Sequence, residues 1–382
     1  MKIEVVATTS NQYLNNKNDF DYLSGLLAGI CYMPSDFDKL KKQSKEKILN
    51  RSHLTKTGGH HSVFEHEYIT FVLTDIPKLF AIILNNQKSF VTSEKSARYT
   101  VMNTEGEESN LYIKWKDIFK NLITQKYGNI SYFTDKRIEK LAMENARYMT
   151  SIFTNTTMAY TVSYRQLNYL YAWLQNMKND TNEYILKLRP FIDEFCTCIK
   201  ELKYIDDNLI NDGKNREICL FEKSPRKEYF GAVYSVNYKG SWASFAQAQR
   251  HRTINYEISI PDTKEYYIPK IIRKNDELKQ MWIDDLKSIA NLHPQAELIN
   301  INERSLPEYF VLKAKERLCT AAQLEVMDQT KKTLEKYIDN CDDNFVKFQL
   351  LMLNKGARCV EKNYVCNTPC GFKQGIDLTR EI

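Results

Sequence analysis

Apolar residues recur at helical spacing in two stretches near the amino terminus, 20–32 and 37–49, and these stretches predict two helices. Residues 67–74 (EYITFVLT) alternate between apolar and polar side chains, which is typical of a strand with one buried face. The apolar run 76–84 (IPKLFAIIL) predicts a buried helix directly after that strand. The first part of the chain is therefore expected to combine helices with a sheet.

Helical spacing continues further along the chain, and the order of strand and helix is then repeated. Residues 138–174 predict helix, with a break in the polar stretch 154–157. Residues 229–238 alternate as a strand, residues 242–249 predict a helix, and residues 306–337 predict a long amphipathic helical stretch. The repeated plan is compatible with a duplication, although a strand followed by a helix is a common succession.

The polar segment 206–216 (DDNLINDGKNR) is the best candidate for a linker, because Asn, Asp and Gly favour turns and loops. It divides the chain into a first half, 1–210, and a second half, 211–382. A length of 382 residues exceeds one ordinary domain. The pattern predicts a mixed α/β (α+β) fold in which each half is a sheet packed by long helices.

Composition and charge limit the classes of protein to which the chain can belong. No apolar run reaches the roughly 20 residues that span a bilayer, and the amino terminus lacks the order of a signal peptide, so we expect a cytoplasmic protein without a membrane partner. The net charge of +6 permits small anionic ligands but is too small to indicate a nucleic-acid binder. Nine cysteines, an odd number, argue against a secreted disulfide framework.

The string HHSVFEH brings His60, Ser62, Phe64, Glu65 and His66 close together in sequence. Histidines and a carboxylate could bind a metal ion, but the spacing does not match a zinc-binding helix, and Phe64 between them suggests packing. The residue types alone favour a structural or capping role, and we predict no metal site.

In the string SEKSARY, alternate polar residues could project towards one anion from an extended backbone, namely Glu94, Ser96 and Arg98. A solvated charged loop is the alternative interpretation.

A third string, QAQRHR, places Arg250, His251 and Arg252 shortly after Gln247. Three adjacent side chains cannot share one helical face, so they are expected at a helix end, pointing to different partners.

These strings resemble the motifs of the flavin-dependent thymidylate synthase (thymidylate-synthase-complementing) family, which has RHR, a short spacer and ExSxRY, preceded by a segment like HxSxFEH. The first half contains HHSVFEH and SEKSARY, but Asn86, Gln87 and Lys88 occupy its RHR positions. The second half contains QAQRHR, but YEISIPDT replaces ExSxRY, and Asn255 replaces the family's usual serine after RHR. The motifs are thus divided between the halves.

The division continues downstream. In the first half, ARYMTSIF resembles the family segment that supplies a phosphate-binding arginine, here Arg147. In the second half, NINERSL contains Asn302 and Arg304, and Arg317 precedes an AQxE string. The family's nucleotide site lies between two subunits, and each half has kept the complementary part of such a site. The resemblance therefore implies an intrachain pseudo-dimer with one working composite nucleotide site in each chain.

The resemblance also implies the reaction and the residues that perform it. The methylene of methylenetetrahydrofolate would be transferred to C5 of dUMP, with hydride from reduced FAD and with NADPH as the reductant of the flavin. Arg317 would be the catalytic residue, directed at the uracil ring. The substrate-binding residues implied are Glu94, Ser96, Ala97, Arg98, Arg147, Gln247, Arg250 and Arg317. The cofactor-binding residues implied are His60, Ser62, Glu94, Arg250, His251, Arg252, Asn302 and Arg304.

Several alternatives remain open at this point. The product could be a hydroxymethyl pyrimidine, the substrate could be another pyrimidine nucleotide or a nucleic acid, or the chain could bind nucleotide without catalysis. A homodimer is expected, because two such chains would reproduce the family's tetramer. Near the carboxyl terminus, Cys341, Cys359, Cys366 and Cys370 could hold a structural zinc ion or remain reduced thiols.

Overall fold

The computed structural model describes residues 1–9, 20–34, 36–87, 90–96, 100, 104–210, 220–221, 226–360, 363–367, 369–370 and 380–382. Over these residues the chain forms the strands β1 (Lys2–Thr8), β2 (Tyr68–Pro77), β3 (Phe90–Glu94), β4 (Asn155–Ser163), β5 (Tyr229–Phe230), β6 (Tyr234–Ser241), β7 (Asn255–Ser259) and β8 (Leu298–Ser305). Its α-helices are α1 (Phe20–Tyr32), α2 (Phe37–Lys41), α3 (Lys45–Thr57), α4 (Lys78–Leu84), α5 (Gly106–Tyr127), α6 (Asp135–Ala146), α7 (Tyr164–Met177), α8 (Glu183–Glu201), α9 (Asp207–Ile210), α10 (Trp242–Ala248), α11 (Lys270–Arg273), α12 (Asp276–Ser288), α13 (Pro307–Arg317), α14 (Leu324–Asn340) and α15 (Asn344–Leu353).

The chain forms two compact units, and each is built from two stretches of sequence. The first unit comprises Met1–Lys95 and Asn155–Ile218, and the second comprises Ser96–Thr154 and Cys219–Ile382. The second unit therefore contains α5 and α6, which precede the linker segment in the sequence. The predicted division into halves at residue 210, 1–210 and 211–382, stays a prediction.

The two sheets have the same topology. The order in the first unit is β1-β2-β4-β3, and the order in the second is β5-β6-β8-β7. Neighbouring strands within each sheet pair antiparallel. In each sheet, a short helix of seven residues follows the second strand directly, α4 in one unit and α10 in the other. The predicted mixed α/β fold is confirmed, whereas the pseudo-dimer stays a prediction.

The core of each unit follows from its pattern of apolar residues. In β2, Ile69, Phe71 and Leu73 are fully buried, as alternation over this stretch predicts. In the second unit, Trp115 of α5 packs edge-on against Trp282 of α12, with ring centroids 4.7 Å apart. Aromatic pairs of this kind bury large apolar areas in a defined geometry. This pair joins α5 to α12 within the second unit.

Several predicted elements are confirmed, namely α1, β2, α4 and α10. The predicted helix 37–49 is wrong as one element, because Ser44 caps a new helix by accepting a hydrogen bond from Lys47 N. The predicted stretch 306–337 likewise divides into α13 and α14. The stretch 154–157 is not merely a break in a helix, because β4 begins there.

No helix in the described part of the chain is long and apolar enough to cross a bilayer.

Candidate nucleotide site

Helix α10 organises the candidate site in the second unit. Ser241 caps the helix, since its Oγ accepts a hydrogen bond from Ser244 N at 3.0 Å. Ala243 and Gln247 are four residues apart and lie on one face of α10, and His251 follows another four residues along, beyond the helix end. Each of these three positions contacts a different segment of the unit.

Arg147 contacts the start of α10. It lies at the end of α6, is only 5% exposed, and donates from Nη2 to the Ala243 carbonyl oxygen at 3.1 Å. The same nitrogen donates to the side-chain oxygen of Gln323, just before α14. The structure therefore brings an arginine from the first sequence half into contact with α10 and with the AQxE string of the second half.

Gln247 contacts the same segment as Arg147. Its side-chain oxygen accepts a hydrogen bond from Gln323 N at 3.2 Å, and both glutamines are buried. Gln323 also donates to the Tyr148 hydroxyl, next to Arg147 in sequence. Arg147, Gln247 and Gln323 thus form one connected polar cluster.

Glu325 is connected to this polar cluster through the Tyr148 hydroxyl. Its carboxylate accepts hydrogen bonds from Ser241 N at 2.8 Å, from Ser241 Oγ at 2.7 Å and from the Tyr148 hydroxyl at 2.7 Å. Burial raises the pKa of Glu325, and these hydrogen bonds oppose that rise. In the sequence, the AQxE string marks only the position of Arg317. Its polar residues Gln323 and Glu325 join α10, α14 and the segment of Arg147.

His251 contacts Arg317 at the other end of α10. The Arg317 Nε donates to His251 Nε2 at 2.7 Å, and His251 is 6% exposed. Burial, followed by the charges of Arg317 and Lys313, lowers the pKa of His251 to about 3. The imidazole is therefore neutral near pH 7. It accepts at Nε2, so its own proton lies on Nδ1.

The depressed pKa of His251 predicts a specific loss of stability in acid. Because the unfolded imidazole takes up a proton near pH 6.5 and the folded one resists until about pH 3, the free energy of unfolding should fall as pH falls through that window. The slope contributed by this one group should reach about 1 kcal/mol per pH unit. Urea titrations between pH 7 and 4 measure it.

The His251→Gln variant should lack that part of the pH dependence, because glutamine does not titrate. The exposed His53 provides the matched control, and His53→Gln should keep the wild-type slope. Equal slopes for His251→Gln and the wild type would show that this imidazole is not held neutral by its surroundings.

Asn302 and Arg304 project from one face of β8. Asn302 donates from Nδ2 to Ser235 Oγ and to Asn237 Oδ1, both at 2.9 Å, while its own Oδ1 is buried without a hydrogen-bond partner. Arg304 pairs with Glu257. Of the other cationic candidates here, Arg250 is half-buried and Arg252 is exposed.

The remaining predicted site residues belong to the first unit or to the start of the second. His60 and Ser62 are exposed, whereas Glu94 is half-buried; its carboxylate forms an ion pair with Lys78 and accepts a hydrogen bond from Asn85. Ser96, which begins the second unit, is half-buried. Ala97 and Arg98, and also Lys88, lie outside the described residues.

The HHSVFEH string forms a short 3₁₀ helix, His61–Glu65, with a buried histidine at its start. Both ring nitrogens of His61 have partners, the Tyr169 hydroxyl at 3.1 Å and the Lys56 carbonyl at 3.0 Å. Phe64 is fully buried. The buried residues of this string therefore contribute to the packing of the first unit.

The cysteines near the carboxyl terminus differ in their surroundings. Cys341 is buried in an apolar cluster with Tyr234, Phe310 and Tyr337, whereas Cys359 is exposed. In the part of the chain that the structure describes, no group of three or more His, Cys, Asp or Glu side chains is arranged to hold a metal ion.

Comparison with known proteins gives one family match and several solved structures. Residues 14–183 match the family model described as thymidylate synthase complementing protein. Thymidylate Synthase X from Helicobacter pylori, solved with FAD and dUMP, is 15% identical, with 55% of this chain and 96% of that chain covered and a TM-score of 0.33. The UMP/dUMP methylase PolB from Streptomyces cacaoi, bound with 5-Br dUMP, is 15% identical, with 45% and 76% covered and a TM-score of 0.30. No curated protein sequence matches the chain.

The matched range contains HHSVFEH, SEKSARY and Arg147, and it ends before QAQRHR. Residues 14–183 of this chain are therefore similar to the thymidylate synthase complementing protein family, as the motifs of the first half had predicted.

Proposed function

We propose that the chain is a flavin-dependent enzyme that methylates dUMP at C5 to give dTMP, with methylenetetrahydrofolate as the one-carbon donor and NADPH as the reductant. The observation that carries this proposal is the position of Arg147. It lies in the range that matches the family model, and it contacts Ala243 of α10 and Gln323, which in turn contacts Gln247. That juxtaposition supports one composite site built from both halves of the sequence.

Different residues are proposed to bind the phosphate and the base of dUMP. Arg98 and Arg147 would bind the dUMP phosphate by charge-assisted hydrogen bonds, with Ser96 as a neutral donor. Gln247 and Arg250 would orient the uracil ring.

Arg317 is proposed to act on the ring itself. Its positive charge near O4 or N3 would stabilise negative charge there, which makes C5 more nucleophilic towards the methylene carbon. The new bond joins C5 to that carbon, the bond from that carbon to the folate nitrogen breaks so that tetrahydrofolate leaves, and the C5 proton leaves. Reduced FAD, when bound, supplies the hydride that completes the methyl group.

The buried, unpartnered oxygen of Asn302 supports a ligand on the polar face of β8. Asn302 would accept a hydrogen bond from FAD, and Arg252, Arg250 and Arg304 would face its negative charges.

The opposite composite site is proposed to be lost. Matching the starts of α4 and α10 pairs Ile83 with Gln247 and Asn86 with Arg250. Ile83 is fully buried, and Asn86 donates to the Ile82 carbonyl at 2.8 Å, so neither replaces the charge or polarity of its counterpart. The identical strand order of the two sheets supports a duplication. Two such chains would associate as a homodimer.

Arg317→Ala tests the catalytic assignment. It should lower kcat for dUMP methylation about ten- to hundredfold, because a charge-assisted contact contributes about 1.5–3 kcal/mol. FAD absorbance and dUMP turnover are the measurements. Lys315→Ala, in the same helical turn, is the matched control and should keep near wild-type turnover.

The same assay separates the alternatives. A nucleotide-binding protein without catalysis would bind dUMP without retaining FAD. A hydroxymethylated product would show that the enzyme hydroxymethylates the pyrimidine. Turnover only on UMP, or only on a polynucleotide, would show that this molecule is the substrate in place of dUMP. Equal activity of Arg317→Ala and Lys315→Ala would contradict the role of Arg317.

A further inference from the structure

His251 lies between the end of α10 and the end of α13, and its partner there is an arginine. The hydrogen bond from Arg317 Nε to His251 Nε2 measures 2.7 Å and joins residues 66 positions apart in the sequence. His251 is 6% exposed, and the Arg317 side chain is 17% exposed. A buried contact of this kind fixes both side chains in one geometry.

The surroundings of His251 make it an acceptor and not a cation. Arg317 and Lys313 are both near enough to disfavour a charged imidazole, and burial disfavours it further. The carboxylate of Glu316 is 3.8 Å from His251 Nε2, beyond hydrogen-bonding distance. The neutral Nε2 can therefore accept a hydrogen bond from the guanidinium group of Arg317.

The helix that carries Arg317, α13, is itself anchored to the sheet. One turn earlier on α13, Lys313 forms a buried ion pair with Glu303 of β8 at 2.5 Å. Tyr234 and Tyr238 donate their hydroxyl protons to the same carboxylate, each at 2.8 Å. The backbone of α13 is thus fixed against the sheet, and His251 fixes the guanidinium that extends from it.

We propose that His251 is a positioning residue that orients Arg317 towards the pyrimidine, and that it does not contact the flavin. This inference rests on the proposed function, because it assigns a role within that site. It replaces, for this one residue, the flavin contact that the family resemblance implied.

The experiment compares His251→Leu, His251→Gln and Arg317→Ala in the FAD-loaded enzyme. His251→Leu should lower kcat about tenfold or more while the Kd for FAD, followed by flavin fluorescence, changes less than twofold. His251→Gln should recover most of the loss, because its side-chain oxygen can accept the same hydrogen bond. The double variant His251→Leu/Arg317→Ala should be no slower than Arg317→Ala alone.

A second readout does not depend on turnover. Nitrogen-15 NMR of the free protein should show His251 as the neutral Nδ1–H tautomer, and the signal should change in Arg317→Ala. A Kd for FAD raised tenfold in His251→Leu, or additive losses in the double variant, would overturn the proposal. An inactive wild-type enzyme with the expected NMR signals would instead overturn the proposed function and leave the Arg317 contact established.

Discussion

Replacing Lys313 by methionine is expected to lower the free energy of unfolding by about 3–5 kcal/mol, because it leaves the buried carboxylate of Glu303 without its cation. Lys313 is 1% exposed and Glu303 is fully buried. The hydroxyl groups of Tyr234 and Tyr238 would remain as the hydrogen-bond donors to Glu303, and they do not neutralise its charge. Urea denaturation followed by circular dichroism measures the change.

A double variant distinguishes a lost ion pair from lost packing. Lys313→Met/Glu303→Gln removes both charges, so it should recover most of the stability. Lys315→Met, two residues along the same helix, should change the free energy of unfolding by less than about 1 kcal/mol. A loss for Lys313→Met no larger than that of Lys315→Met would refute the importance of the buried pair.

Replacing Arg147 by alanine is expected to weaken dUMP binding about a hundredfold or more. The substitution removes the proposed phosphate contact, and it also removes the links from Arg147 to Ala243 and Gln323. Arg147→Lys should recover part of the affinity, since lysine retains the charge but not the planar fork of donors. Isothermal titration calorimetry with dUMP measures the affinities.

The control for this prediction is Arg137→Ala, because Arg137 lies on the same helix, α6, and its guanidinium stacks on Tyr132. Thermal melting of each variant separates a folding defect from a binding defect. If Arg147→Ala remained folded and bound dUMP as tightly as Arg137→Ala, Arg147 would have no part in the phosphate site.

Much of the fold could be predicted from the sequence, because the apolar residues of β2, α1 and α10 each recur at one clear spacing. Strand β4 could not, since its alternating polar residues Asn155, Thr157 and Thr161 stand between two helical stretches and resemble a break. Likewise, α13 and α14 share one amphipathic pattern, and the turn between them is set by tertiary contacts.

Part of the candidate site could also be predicted. The division of motifs between the halves predicted a composite site that includes Arg147, and this site stays a prediction; the structure shows Arg147 in contact with Ala243 of α10. The contact of His251 with Arg317 could not be predicted, because nothing local joins residues so far apart in sequence. The contacts of Gln323 could not be predicted either, because its partners come from α10 and from the segment of Arg147.

The number of dUMP molecules bound by each chain tests the central claim most directly. Calorimetric titration of the FAD-loaded protein with dUMP should give one site per chain, because we propose that only one set of complementary residues forms a working site. Substitution of Lys88, at the RHR position of the first half, should leave that number and the affinity unchanged. Two equivalent sites per chain would contradict the claim that the two halves have specialised into one composite site.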